Sequence, residues 1–561
     1  MAPYRYSLIA MLALVILASF LYLPFLHNGL IFDDQGLFSS GVIYDYAQTP
    51  FDFRPRTFPY FTLGFASVVG GTIEGNRVVS LALHILCAWV LYLLLRALLT
   101  QALNISRPNE DAKQTCRRAT IFAFLGATWF AIHPIAVYGA GYLAQRTILF
   151  ATLFSLLSLW FFRRAFAENR AADVITAALF YAMALFSKEH AIMLPLAAVA
   201  LASLYEGSFR SHFKRIALYL LLCLPVAVTV FLSKKHIVST SYEPDAANII
   251  PQLFDIAIMS KPWGQWVVSM VMQAGFFFDY ITFWIVPDVR VLSVDMRFDF
   301  SHIWFSWHAF PKVIFFLLSP ILVIYFLRQK GVVALFCGGF LYCWFLFLTE
   351  LSSVRFQEPF VLYRSYLWAP GYVMMFVALC ARVSIRWLVI TAIPVFVVCF
   401  LLARDRLTSF ATEAIVWKDA ASKLESASLI GSDRIYYNRG RAYLQEKRYV
   451  EAIDDFSRTI QMSPKVYQAY YNRALASYAL KQNAAALQDL DRAALLNQKD
   501  NLIQYVRGLV LEQNGCADAA VVAYSTSLAL GNKMAQLKLD SLAQKTPRKE
   551  IYLSSDMKCP A

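Results

Sequence analysis

The feature that most constrains this chain is a series of long apolar stretches that recur almost without interruption from Tyr6 to Ala403. A bilayer core about 30 Å thick needs about 20 mostly apolar residues per helical crossing, and many of these stretches approach or reach that length. The composition agrees, because 59% of the 561 residues are hydrophobic and only 16% are charged, against about 25% charged residues in an ordinary soluble domain. The pattern predicts a multi-pass helical membrane protein.

The basic residues lie in short loops between the apolar stretches, so the positive-inside rule accounts for most of the net charge of +14. No nucleic-acid partner is therefore predicted. The loops expected in the cytoplasm are 96–118, 163–170, 210–215, 328–330 and 382–386. The loops expected outside are 27–77, 133–146, 187–190 and 351–365.

The alternation of inner and outer loops fails between Lys234 and Phe310. A single crossing at 264–286 would place every later loop on the side opposite to the one that its charge predicts. Either segment 264–286 is re-entrant, or a shorter segment around Ile250 to Trp263 also crosses. We expect 11 or 13 crossings, with the N-terminus in the cytoplasm and the C-terminus outside.

After Arg404 the composition becomes that of a soluble domain. This part of the chain carries a repeat of 34 residues. Tyr437-Asn438-Arg439 recurs as Tyr471-Asn472-Arg473, and Arg507 follows another 34 residues on. This period, with small residues at matching positions, is typical of tetratricopeptide repeats, whose paired helices cross closely. We predict a membrane domain over 1–405, a linker helix over 406–432, three tetratricopeptide repeats over 433–545 and a tail over 546–561.

The spacing of the cysteines does not indicate a metal site. Most of the nine cysteines fall inside apolar stretches, where a buried thiol behaves as a small hydrophobic group. Only Cys516 and Cys559 are candidates for a disulfide, and only in an oxidising compartment. No metal-ligand cluster stands out in the sequence, and no metal site is predicted.

Charged side chains at membrane depth are costly, so those at the ends of predicted spans are candidate functional residues. Nearly all of them fall on the predicted outer side. The set comprises Asp33, Asp34, Arg54, Arg56, His84, His133, Arg146, Lys188, Glu189, Glu358 and Arg364. A carboxylate pair can provide a general base, and clustered arginine and lysine side chains bind phosphate through charge-assisted hydrogen bonds.

These residues also have structural interpretations. Asp33 and Asp34 could cap a helix, and Lys188 and Glu189 could form a local ion pair at a tight turn. His84 could be a core histidine with satisfied hydrogen bonds. Their common placement on one side favours a shared site over these separate roles.

Six short motifs follow one another along the membrane region. They are Phe32-Asp33-Asp34, Phe53-Arg54-Pro55, Leu81 to His84, Ala131 to Pro134 with Tyr142 to Arg146, Ser187-Lys188-Glu189, and Tyr366 to Pro370. In their order and in their spacing relative to the spans, these motifs resemble those of the transmembrane and tetratricopeptide-repeat O-mannosyltransferases. That family also follows its membrane domain with repeats on the outer side.

The resemblance implies an all-α fold, in which a polytopic transmembrane GT-C domain precedes a soluble solenoid of repeats. It further implies an inverting transfer of a monosaccharide from a polyprenyl-phosphate donor to an acceptor, with a protein hydroxyl favoured over a lipid or a polysaccharide. No cofactor is required, and a divalent metal is compatible with this chemistry but not predicted.

The resemblance assigns catalysis to the acidic pair, and the chemistry of the other candidate residues indicates their expected roles. The catalytic pair is Asp33 and Asp34, of which Asp34 is favoured as the base. Donor phosphate would be bound by Arg54, Arg56, Arg146, Lys188 and Arg364. Supporting roles fall to His84, His133, Glu189, Glu358 and Tyr366.

The expected location is a bacterial-type inner membrane with the repeats in the periplasm, where they would bind a protein acceptor or partner. The alternative within the same class is the endoplasmic reticulum, with the repeats in the lumen. Two other classes compete with an enzyme: a non-enzymatic membrane scaffold that presents the repeats, and a transporter. Transporter sites tend to lie near the bilayer midplane between repeated halves, and the sequence shows no such halves.

Overall fold

The computed structural model describes residues 2–49, 54–205, 209–241, 249, 261–299 and 309–545. Phe53, Cys559, the predicted tail 546–561 and residues 250–260 of the uncertain segment lie outside these ranges. The described residues form helices and connecting turns, with one isolated β-bridge between Met296 and Phe360. The predicted all-α class is confirmed for this part of the chain.

The chain forms two compact units, Met1–Val416 and Trp417–Ala561. In the first unit the helices are α1 (Ala2–Tyr22), α2 (Asp33–Ser39), α3 (Val42–Ala47), α4 (Thr57–Val68), α5 (Ile73–Ser106), α6 (Ala112–Ile132), α7 (Ala136–Ala140), α8 (Arg146–Ala167), α9 (Ala172–Ser187), α10 (Leu194–Ala202), α11 (Phe209–Lys234), α12 (Pro262–Ile285), α13 (Ala309–Phe326), α14 (Gly331–Phe347), α15 (Ser365–Cys380) and α16 (Ile385–Ser409). Helix α17 (Glu413–Ser422) begins at the end of this unit.

Several helices begin where the sequence supplies a capping side chain. The Thr72 hydroxyl accepts the Gly75 N–H at 3.1 Å ahead of α5, and the Asp111 carboxylate accepts the Lys113 N–H at 3.2 Å ahead of α6. These bonds satisfy N–H groups that have no partner within the first turn of a helix.

Eight helical segments in the described ranges are long and apolar enough to cross a membrane, judged by length and composition. They are Ser7–Phe25, Ile73–Ser106, Leu143–Ala167, His212–Ile237, Pro262–Ile285, Phe310–Gln329, Gly331–Ser352 and Ile385–Ser409. The uncertain segment 264–286 falls in a helix of 24 residues, about 36 Å long at 1.5 Å per residue. Its length therefore suffices for a full crossing.

These eight segments differ in how much of each is buried in the protein. Gly331–Ser352 is 72% buried, whereas Phe310–Gln329 and Ile385–Ser409 are each 17% buried. In Phe310–Gln329, for example, the Leu317 and Ile321 side chains are exposed. Contiguous apolar surface of this extent suits contact with lipid rather than water.

Other predicted spans are shorter than a bilayer requires. Helix α9 has 16 residues and ends where the chain turns at Lys188. Helix α10 has 9 residues and ends at Ala202. At 1.5 Å per residue α10 spans only about 14 Å. The number of crossings, 11 or 13, is therefore not confirmed and stays a prediction.

The helices of the second unit are α18 (Asp433–Gln445), α19 (Tyr449–Met462), α20 (Tyr467–Ala479), α21 (Asn483–Leu496), α22 (Asn501–Gln513), α23 (Ala517–Ala529) and α24 (Met534–Lys545). They pack as successive pairs, α18 with α19, α20 with α21 and α22 with α23. A Cβ atom on Gly440 would lie 2.9 Å from the Phe456 ring, and one on Gly508 would lie 2.5 Å from the Tyr524 ring. The small residues that recur in the sequence thus allow the paired helices to approach each other.

Ion pairs recur with the repeats as well. Arg439 binds the Asp455 carboxylate through two nitrogens, at 2.7 and 2.6 Å, and Arg473 binds Asp489 in the same way at 2.8 and 2.7 Å. Cys516 is disulfide-bonded, and its predicted partner lies outside the described residues.

Candidate active site

The two predicted catalytic carboxylates occupy different environments. Asp33 is exposed at the first residue of α2, whereas Asp34 is fully buried. One oxygen of Asp34 accepts the Ala144 N–H at 2.6 Å, and the other accepts the Leu143 N–H at 3.0 Å. Burial raises the pKa of Asp34 to about 7, although these two hydrogen bonds and the nearby Arg77 guanidinium act in the opposite direction.

Arg77 lies beside Asp34 and binds the same turn, and it was not predicted from the sequence. Its Nη1 donates to the Gly141 carbonyl at 2.9 Å, and its Nη2 donates to the carbonyls of Asn28 and Gly29 at 3.0 and 2.7 Å. Asp34 and Arg77 therefore join the first outer loop to the turn between α7 and α8.

Lys188 is a buried cation without a carboxylate partner among the described residues. Only 4% of the Lys188 surface is exposed. Its Nζ lies 3.5 Å from both Gln145 Oε1 and Thr147 Oγ1. Nζ also lies 5.1 Å from the centre of the Tyr363 ring, a cation–π contact. Burial, followed by the Arg56 charge, lowers the pKa of Lys188 to about 7.

Lys188 does not pair with its neighbour Glu189. The Glu189 carboxylate instead binds Arg56 through two nitrogens, with Arg56 Nε at 3.0 Å from one oxygen. This carboxylate raises the pKa of the Arg56 guanidinium. Arg56 Nη2 and Glu189 thereby connect the first outer loop to the turn that carries Lys188.

Arg364 binds a carboxylate that the sequence analysis did not select. Its Nη1 lies 2.6 Å from Glu350 Oε2, and Arg355 Nε lies 3.3 Å from the same oxygen. His190 Nε2 lies 3.1 Å from the other oxygen of Glu350. The predicted Glu358 is half-buried in the loop that follows. Lys188 and Arg364 both lie against the Tyr363 ring, with Lys188 Nζ 5.1 Å and Arg364 Cζ 5.8 Å from its centre. Arg364 and Asp33 are both close enough to Lys188 to influence its pKa.

Two further predicted phosphate ligands, Arg54 and Arg146, differ in burial. Arg54 is exposed at the turn before α4. Arg146 is fully buried and donates to Ser80 Oγ at 3.3 Å, to Thr62 Oγ1 at 3.3 Å and to Asn76 Oδ1 at 2.9 Å. Arg146 thus connects α4, α5 and α8, and its geometry suits a supporting role better than contact with a ligand.

His84, His133 and Tyr366 make hydrogen bonds inside the helical core. His84 Nε2 lies 2.9 Å from the Ala131 carbonyl and must donate to it, so Nδ1 accepts from the Tyr366 hydroxyl at 2.7 Å. His133 likewise lies 3.0 Å from the Trp284 carbonyl and stacks on the Trp284 ring at 4.2 Å. These bonds favour the structural interpretation of both histidines.

Arg77, Glu350, Arg355 and His190 were missed although the sequence carried a signal for them. Arg77 ends the predicted outer loop 27–77, and His190 ends the outer loop 187–190. Glu350 directly precedes the outer loop 351–365, in which Arg355 lies. Each meets the criterion of a charged residue at the outer end of a span. In the described ranges, no group of three or more His, Cys, Asp or Glu residues is placed to hold a metal ion.

Comparison with protein families finds a match within the second unit. The tetratricopeptide repeat family model matches residues 434–466, which confirms the repeat prediction there. No curated protein matches the chain significantly.

Two similar solved structures differ in how much of the chain they cover. The first TPR of Spaghetti (RPAP3) bound to an HSP90 peptide is 26% identical, covers 20% of this chain and 91% of its own, and has a TM-score of 0.20. The APC/C hetero-tetramer Cut9–Hcn1 is 11% identical, covers 91% of this chain and 94% of its own, and has a TM-score of 0.23.

Proposed function

We propose that this chain is a membrane glycosyltransferase of the GT-C type, which transfers a monosaccharide from a polyprenyl-phosphate donor to an acceptor hydroxyl on the outer face of the membrane. The observation that carries the proposal is the buried Lys188 ammonium. A buried cation without a carboxylate partner is costly, and a bound anion would offset that cost. The donor phosphate is such an anion.

Arg364 and Arg56 support the same site. Both are held by carboxylates, Glu350 and Glu189, and both influence the pKa of Lys188. This arrangement keeps two further positive charges close to Lys188, of which Arg364 is buried and Arg56 is partly exposed. They would stabilise the negative charge that grows on a departing phosphate.

An apolar cavity of about 870 Å³ suits the lipid part of the donor. Side chains of α6, α12 and α15, including Trp129, Phe278 and Tyr372, contribute to its lining. Trp129 stands edge-on to Trp284 with ring centres 6.1 Å apart, and the Trp284 indole N–H donates to Ser365 Oγ at 3.0 Å. Ser365 is the neighbour of Arg364, so a chain of side-chain contacts joins the cavity wall to the proposed phosphate site.

The proposed step is an inverting displacement. The acceptor oxygen forms a bond to the anomeric carbon while the bond from that carbon to the phosphate oxygen breaks, and polyprenyl phosphate leaves. The acceptor proton passes to the Asp33 carboxylate. The exposed position of Asp33 favours it as the base over the fully buried Asp34.

The tetratricopeptide repeats are proposed to bind the protein acceptor or a partner that delivers it. We place the enzyme in a bacterial-type inner membrane with the repeats in the periplasm, or alternatively in the endoplasmic reticulum with the repeats in the lumen. The disulfide of Cys516 supports either location, because disulfides persist in oxidising compartments.

The proposal is tested by binding of undecaprenyl methyl phosphate, a single-charge diester, to the full-length chain in nanodiscs at pH 7. We expect Lys188→Met to weaken binding by about tenfold or more, because a charge-assisted contact to phosphate is lost. Lys113→Met is the matched control, since Lys113 is exposed at the predicted cytoplasmic side. Equal binding by both variants and the unsubstituted chain would contradict the proposal.

A further inference from the structure

The loop that carries the acidic pair is fastened to the segment where α16 ends and α17 begins. Asn28 Nδ2 donates to the Leu407 carbonyl at 2.9 Å, and the Gly29 N–H donates to the Ala411 carbonyl at 2.8 Å. The Phe32 N–H donates to Glu413 Oε2 at 2.7 Å. Residues about 380 positions apart in the chain thus meet beside Asp33.

Phe32 has a backbone conformation that non-glycine residues rarely adopt, with φ at 50° and ψ at −123°. Such a conformation persists only where surrounding contacts hold it. Glu413 supplies one of them, because a carboxylate is a strong acceptor for a backbone N–H. The Asp34 N–H closes the same turn by donating to the Ile31 carbonyl at 3.0 Å.

This conformation determines where the acidic pair points. Phe32 directly precedes Asp33, the first residue of α2, so a change at Phe32 would redirect the whole short helix. We propose that Glu413 is a positioning residue, which acts on the reaction by holding the Phe32 backbone and thereby the carboxylate of Asp33. The expected effect of Glu413 on activity rests on the proposed function, whereas its expected effect on the loop does not.

Two substitutions of Glu413 separate its hydrogen bond from its charge. Glu413→Gln keeps an acceptor oxygen for the Phe32 N–H, and we expect its kcat to stay within about threefold of the unsubstituted chain. Glu413→Ala removes the acceptor and should lower kcat about tenfold or more, with the KM for the lipid-linked donor within about twofold. Equal kcat values for these two variants would overturn the proposal.

A double substitution tests whether Glu413 acts through Phe32. Glycine adopts positive φ freely, so Phe32→Gly removes the need for the Glu413 contact. We expect Glu413→Ala to lower kcat by less than about threefold in the Phe32→Gly background. A loss as large as in the native background would show that Glu413 acts by another route and overturn the inference.

Hydrogen exchange of the segment 27–40 in the full-length chain gives a readout that does not depend on catalysis. We expect faster exchange in Glu413→Ala than in Glu413→Gln or in Glu425→Ala, a control at an exposed glutamate nearby. Unchanged exchange in Glu413→Ala would overturn the inference. Faster exchange in a chain that shows no transfer activity at all would support the inference and count against the proposed function.

Discussion

The Asp34 carboxylate accepts the backbone N–H of Ala144 at 2.6 Å, and its second oxygen accepts the adjacent Leu143 N–H at 3.0 Å. A general base needs an oxygen that can reach the acceptor proton. Asp34 uses both oxygens to hold the turn before α8, while Asp33 beside it is exposed. We therefore propose different roles for the adjacent carboxylates: Asp33 accepts the proton, and Asp34 holds the turn.

Asp33→Asn should lower kcat by about 100-fold or more, because loss of a general base removes a contribution of that size. The donor KM should change little, since Asp33 is not proposed to bind the phosphate. Steady-state kinetics with the lipid-linked donor measure both values. A kcat within twofold of the unsubstituted enzyme would exclude Asp33 as the base.

Asp34→Asn provides the matched comparison. Asparagine retains one acceptor oxygen, so one of the two N–H groups loses its partner and the turn should open more often. Hydrogen exchange of residues 139–147 should accelerate in Asp34→Asn and stay unchanged in Asp33→Asn. Equal exchange in both variants would mean that Asp34 does not hold the turn.

Binding of the diester should depend on pH through Lys188. Because the pKa of Lys188 is lowered to about 7, the free protein loses this charge as the pH rises through 7. A bound phosphate favours the ammonium, so binding takes up a proton above pH 7. The Kd measured between pH 7.5 and 9 should rise toward about tenfold per pH unit, whereas Lys188→Met should bind weakly and without this slope. A flat profile for the unsubstituted chain would contradict the assignment.

Glu350→Gln should destabilise the first unit, because Arg364 and Arg355 would lose a shared buried carboxylate. Breaking a buried ion pair from one side costs about 3–5 kcal/mol. Thermal unfolding in detergent should show a clearly lower midpoint for Glu350→Gln than for Glu358→Gln, the half-buried control. Equal midpoints would indicate that Glu350 does not hold the two arginines.

Gly440→Leu should impair transfer to a protein acceptor while leaving diester binding unchanged. A Cβ atom at this position would already lie 2.9 Å from the Phe456 ring, so the larger side chain would separate α18 from α19. The exposed Ala479→Leu is the control. Normal transfer to protein by Gly440→Leu, measured with the same donor, would show that the first repeat is not required for the acceptor.

The sequence predicts which charged residues share a region better than it predicts their individual contacts. Loop charges predict that Asp33, Lys188 and Arg364 lie on one side, and the structure brings Asp33 and Arg364 close enough to Lys188 to influence its pKa. The 34-residue period likewise predicts the close approach of Gly440 to Phe456. Both inferences depend on patterns that repeat along the chain.

Contacts between distant segments could not be predicted in the same way. Which aspartate is buried depends on a turn 110 residues away that supplies the Ala144 N–H. Glu189 could equally have paired with its neighbour Lys188, and only the fold of the first outer loop brings Arg56 to it. Glu413 lies 381 residues from Phe32, and no local pattern connects the two.

The most direct test of the central claim is mass spectrometry of the glycoconjugates of cells that lack this chain. The cells would be supplied in turn with the unsubstituted chain, Asp33→Asn and Lys188→Met, each at matched protein level. We expect a species heavier by one monosaccharide where the unsubstituted chain is present, and a strong reduction of that species with either variant. Identical glycoconjugates with and without the chain, or full restoration by both variants, would contradict it.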